Sequence, residues 1–114
     1  MVSWTPLNDI MTLAGAGWQN YDAYTNLGVP KGAVLVVRMV TLLSNNQSHD
    51  LGVRTDGSSL DRYFGIHESE AGGVNGYIAL VLVDASSGYI ETYCDDTVDC
   101  VFTALGYFDG VSFT

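Results

Sequence analysis

Two stretches of this 114-residue chain carry residue types that do chemistry. In GVRTDGSSLDRYFGIHESEAGG, residues 52–73, His67 lies beside Glu68 and Glu70. A histidine with two near carboxylates suits a general base or one corner of a zinc site. HESE lacks the i, i+4 histidine spacing of a helical zinc motif, however, and only His49 is left to add a second imidazole. In CDDTVDC, residues 94–100, Asp95, Asp96 and Asp99 are candidate Ca²⁺ ligands, because hard cations take several oxygens from a flexible loop. Their spacing is not that of an EF-hand, so a solvated acidic turn is the competing reading. Serines are plentiful, but no GxSxG, P-loop, HExxH or catalytic cysteine pattern surrounds them. The expectation is a chain with no catalytic residue, no required metal and no cofactor.

The same stretches have structural readings. If Asp56-Gly57 forms a two-residue hairpin turn, Thr55 faces Ser58, Val53 faces Leu60 and Gly52 faces Asp61. Arg54 then lies diagonal to Asp61 on one face, within reach of a cross-strand ion pair. Leu51, Val53, Leu60 and Phe64 pack on the other face, with Arg62 and His49 beside them. Cys94 and Cys100 flank the acidic loop; if its two arms pair as a hairpin, the cysteines face each other within geometric reach of a disulfide. Reduced, buried thiols are the alternative in a chain without a secretion address.

The elements that position these groups are strands. Alternation and turn chemistry dominate, and helical periodicity does not. After an irregular N-terminal arm over 1–16, strands are expected near 17–24, 33–43, HDLGVRT, SLDRYFGIH, 77–84, 89–94 and 100–108, giving seven or eight in all. Turns at LGVPKG, SNNQS, Asp56-Gly57 and ASSG punctuate them. The pattern predicts one all-β domain over 1–114, an antiparallel β-sandwich of jelly-roll type.

Two strands are apolar on both faces. Tyr77, Ala79, Val81 and Val83 alternate with Ile78, Leu80 and Leu82; in 33–43, Val34, Val36, Val40 and Leu42 share a face interrupted only by Arg38. A solvated antiparallel sheet would alternate apolar with polar. One face serves the core, and the other needs a cover: either the N-terminal arm or a subunit interface. Val36, Val40, Leu80 and Leu82 are the interface candidates.

Composition narrows the partners. Lys and Arg total 4 against 13 Asp and Glu, a formal charge of -9, so a phosphate backbone would be repelled and nucleic acid is not an expected partner. Only 15% of residues are charged while 47% are hydrophobic, where an ordinary soluble domain has about 25% charged. Such a surface suits packing against copies of itself. The N-terminus has no basic region ahead of its apolar residues, and the longest apolar run, GAVLVVRMVTLL, is too short for a bilayer and carries Arg38. A soluble chain with no membrane partner is expected. The 7 tyrosines and 2 tryptophans are numerous enough for a sugar-stacking platform, but they are spread along the strands and declare no single binding face.

Taken together, GWQNYDAYTNLGVPKGAV, GVRTDGSSLDRYFGIHESEAGG, VDASSGYIETYCDD and the closing ALGYF resemble small β-sandwich virion proteins of tailed bacteriophages and the C-terminal modules of some phage fibres. The likeness spans about residues 17 to 108 and is one of pattern, with no site motif to carry over. It implies a non-enzymatic virion part assembled in the host cytoplasm, most plausibly a head decoration (cement) protein that binds the major capsid protein or another virion protein as a homo-oligomer. Decoration proteins often sit on local threefold axes, which implies a trimer. The rival readings are a lectin-like carbohydrate-binding module and a tail-fibre receptor-binding component.

Overall fold

The computed structural model describes the backbone of residues 1–42, 48–59, 64–67, 74–95 and 100–111. Eight strands, β1 (Ser3–Met11), β2 (Gly17–Asp22), β3 (Val34–Leu42), β4 (Ser48–Thr55), β5 (Phe64–His67), β6 (Val74–Leu82), β7 (Tyr89–Cys94) and β8 (Cys100–Asp109), form two antiparallel sheets. Their orders are β1-β8-β3-β6 and β2-β7-β4-β5. Among the described strands, only β4 and β5 are consecutive in one sheet, and every other pair of successive strands lies in different sheets. This winding of two four-stranded sheets is the jelly-roll architecture that the alternation predicted.

Period-two alternation puts one side of each strand between the sheets. Leu35, Val37 and Met39 of β3, Phe102 and Ala104 of β8, Leu51 of β4 and Ile90 of β7 are fully buried there. Each large aliphatic or aromatic side chain contributes about 1.5–3 kcal/mol by leaving water.

Four sequence expectations are corrected. Residues 1–16 are not an irregular arm: Ser3–Met11 pairs with β8, Trp4 opposite Phe108 and Met11 opposite Phe102, with a register shift between Pro6 and Asp9. That shift keeps Met11 facing the core despite a proline in the strand. The edge position of β1 accommodates Pro6, which has no ladder N–H to offer.

The acidic loop does not join two strands of one sheet as a hairpin would. Cys94 ends β7 in one sheet and Cys100 opens β8 in the other, and both side chains are buried. The Cys94 thiol donates to the Gly15 carbonyl oxygen at 3.7 Å.

A short helix, α1 (Ala23–Leu27), follows β2 where the sequence suggested strand and turn. Asp22 caps it by accepting from Thr25 N–H at 2.9 Å, and Gly28 ends it with φ 70°.

The β4–β5 pairing is offset by two residues from a tight hairpin. Leu51 faces Phe64, although a two-residue turn alone would set it opposite residue 62. The turn itself is present: Ser58 N–H donates to Thr55 O at 3.1 Å, and Gly57 has φ 84°.

Candidate functional site

The outer face of the β1-β8-β3-β6 sheet gathers all four interface candidates. Val36 is opposite Leu80, Val34 opposite Leu82, Arg38 opposite Ile78 and Val40 opposite Gly76. Their strand neighbours Leu35, Val37, Met39 and Val81 point into the core, so parity fixes the other set outward, although Val34 and Val40 are covered by their neighbours on that face and are 8% and 6% exposed. On this face Leu80 is 65% exposed, Ile78 63% and Ile10 74%. Trp4 stacks on Phe108 with ring centroids 4.7 Å apart and covers Gly106. A side chain at Gly106 would overlap the Trp4 ring and approach the Thr5 carbonyl oxygen to 2.6 Å, so the close approach of β1 and β8 needs glycine.

Two shallow grooves run along this face. One, of about 330 Å³, is lined by Val34, Leu80, Leu82, Phe108 and Val111. The other, of about 470 Å³, is lined by Arg38, Val40, Gly76, Tyr77 and Ile78. Because β1 lies beside β8 as a sheet edge, the N-terminal segment does not lie over β3 and β6. Of the two covers the sequence allowed, the arm is thereby removed.

The outer face of the other sheet is polar and internally paired. Arg54 and Glu91 are register partners of β4 and β7. Arg54 Nε and Nη2 both donate to Glu91 Oε1, at 3.0 and 2.8 Å, and Gly57 N–H donates to Oε2 at 2.9 Å. The guanidinium also lies 3.9 Å from the centroid of Trp18, which in turn packs on Tyr93 at 5.2 Å. The predicted partner Asp61 lies outside the described residues. Sequence reasoning missed Glu91 because nothing local announces that β4 pairs with β7. Beyond the turn, Asp56 accepts from Ser87 Oγ at 2.9 Å and ties the hairpin tip to the β6–β7 connection. There Asp84 accepts from Ser87 and Ser86 N–H at 2.8 and 3.1 Å. These hydrogen bonds, that from the Ser87 backbone foremost, hold its carboxyl below the ordinary aspartate value.

The third feature is a mixed donor cluster at one end of the sandwich. Asp95, just past β7, places Oδ1 3.0 Å from His49 Nδ1 and accepts from Asp50 N–H through Oδ2 at 3.1 Å. Ligand atoms of His49, Asp95 and Cys100 all lie within 4.8 Å of one another. His49 and Cys100 are 5% and 4% exposed, while the Asp95 side chain reaches solvent. Of the calcium candidates, only Asp95 is described; Asp96 and Asp99 lie outside the described residues, as do Glu68 and Glu70. His67 pairs with Ser48 along the β4–β5 ladder.

Among the described residues, no helix is long and apolar enough to cross a membrane. No family model matches the chain, and no curated protein matches it.

Proposed function

We propose that this chain is a non-enzymatic structural protein of a tailed-bacteriophage virion, a head decoration protein acting as a homo-oligomer on the capsid surface. The observation that carries this reading is the apolar outer face of the β1-β8-β3-β6 sheet, on which Leu80, Ile78 and Ile10 are more than 60% exposed. Exposed apolar area of that kind marks a contact surface. A second copy is the favoured occupant. Among the described residues Arg38 is the cation of this mainly apolar face, and a copy of this chain brings 13 carboxylates against 4 cations. A trimer burying about 800 Å² per contact would cover the face. The likeness to phage sandwich proteins supplies the virion setting.

The lectin-like reading draws on Trp18 and Tyr93 of the other sheet. It is the less supported one, because the Arg54 guanidinium already lies against the Trp18 ring and Glu91 is engaged by Arg54 and Gly57.

Light scattering on the purified protein, together with binding to capsids stripped of it, tests the proposal. An oligomer at tens of micromolar that binds such capsids is the expected result. A stable monomer that fails to bind them overturns it, and a glycan array then tests the lectin-like alternative.

A further inference from the structure

We propose that His49, Asp95 and Cys100 form a binding site for one zinc-type transition-metal ion, which ties the two sheets together at the end of the sandwich where β4, β7 and β8 meet. The three residues come from β4, the residue after β7, and the first residue of β8. The ion would therefore bridge one sheet to the other across the connection that the sequence presented as a hairpin. This inference is independent of the oligomer reading.

Three observations carry it. The first is proximity: donor atoms within 4.8 Å of one another are close to what a tetrahedral ion requires. Bonds of about 2.0–2.3 Å place ligand atoms about 3.3–3.8 Å apart, so a contraction of about 1 Å by side-chain rotation closes the site. The second is donor type. One imidazole nitrogen, one carboxylate oxygen and one sulfur suit Zn²⁺ or Co²⁺, whereas Ca²⁺ and Mg²⁺ need six or more oxygens, only one of which this set supplies as a side-chain group of its own. Asp95 was a calcium candidate from sequence; the neighbours it acquires in the fold change the metal it fits. The third is the surroundings. His49 and Cys100 are buried, which shields a metal thiolate, while Asp95 borders solvent and leaves an entry path and a fourth position for water. Asp50 N–H holds Asp95 through Oδ2, leaving Oδ1 directed at His49, a supporting contact of the kind that orients metal ligands.

Binding is a proton exchange as well as a coordination step. The Cys100 thiol loses its proton to solvent and binds as thiolate, the neutral His49 ring gives up its hydrogen bond to Asp95 and keeps its one proton on the nitrogen that does not bind the metal, and the Asp95 carboxylate exchanges that hydrogen bond for the metal. No electron is transferred.

The test uses the full chain, reduced and stripped of metal with a chelator. Zn²⁺ should raise the melting temperature and saturate at one equivalent per chain, while Ca²⁺ at the same concentration should leave it unchanged. Co²⁺ should give a thiolate-to-metal charge-transfer band in the near ultraviolet. That band should survive in Cys94→Ser and vanish in Cys100→Ser. Asp95→Asn, altered at the solvent edge, should remain folded and bind Zn²⁺ at least about tenfold more weakly. Absence of both the melting shift and the Co²⁺ band in the wild type overturns the proposal, even where a buried-site variant fails to fold. So does a band that depends on Cys94 and not on Cys100.

Discussion

Arg54 and Glu91 sit directly opposite each other on β4 and β7, with Nη2 2.8 Å from Oε1, and both side chains are under 15% exposed. A fully exposed ion pair contributes at most about 1 kcal/mol. This one is sheltered by Trp18 and shares its carboxylate with Gly57 N–H, so its loss leaves Glu91 partly desolvated. Arg54→Ala should therefore cost about 1–3 kcal/mol in denaturant unfolding. A double-mutant cycle with Glu91→Ala should return a favourable coupling energy; a coupling near zero would mean that the stacking on Trp18 carries the effect instead.

Gly106 tests the packing of β1. Replacing it with alanine puts a methyl group into the Trp4 ring and against the Thr5 carbonyl, and φ 154° adds backbone strain for any residue with a Cβ. Overpacking of this kind costs about 1–3 kcal/mol. Gly106→Ala should lower stability by that amount and shift Trp4 fluorescence to the red as the ring lifts off Phe108. An unshifted spectrum and unchanged stability would show that β1 adjusts freely at its register shift.

Both limbs of the pH profile have a named contributor. The Asp84 carboxyl is held below its ordinary value by the Ser87 and Ser86 N–H groups, so its stabilisation is complete above about pH 4 and is lost as pH falls through the folded value. Asp84→Asn should flatten the acid limb relative to wild type. Tyr21 is pushed up by burial and, secondarily, by Asp9 and Asp22. Its contribution is complete below about pH 10 and is lost as pH rises through the folded value. Tyr21→Phe should flatten the alkaline limb. Denaturant midpoints measured across pH for both variants check the two signs separately.

What the sequence made legible follows the range of the interactions involved. Alternation is local, so the strands around Leu35, Val81, Ile90 and Phe102 were readable, as was the surplus apolar face carrying Val36 and Leu80. Pairing is not local. The connection between Cys94 and Cys100 is as short as a hairpin loop, and only the global order of strands sends its two arms to different sheets. Helix α1 has local signals, Asp22 three residues before Thr25 and Gly28 after Leu27, but five residues are too few to show a helical period. The His49–Asp95 contact joins residues 46 apart in the chain, and neither stretch, read alone, points to the other. Asp95 reads from the sequence as one of three aspartates of an acidic turn, and only the fold sets it against His49 and Asp50.

The outer sheet face makes the last prediction, and parity sharpens it. Leu80 and Val36 are register partners pointing outward, while Leu35 and Val81 beside them point into the core. A glutamate at Leu80, already 65% exposed, should leave the domain folded with a melting temperature near that of wild type. Within a dimer or trimer contact the same charge would be buried without a partner, a cost large enough to separate the subunits. Leu80→Glu should thus behave as a folded monomer by light scattering, and Leu35→Glu should yield no folded protein. Arg38 gives a finer reading of the same face: Arg38→Glu places a carboxylate opposite an acidic copy and should weaken association in a manner relieved by salt. If Leu80→Glu assembles as the wild type does, the contact lies elsewhere on the molecule, and the apolar face of β3 and β6 is left for a different partner.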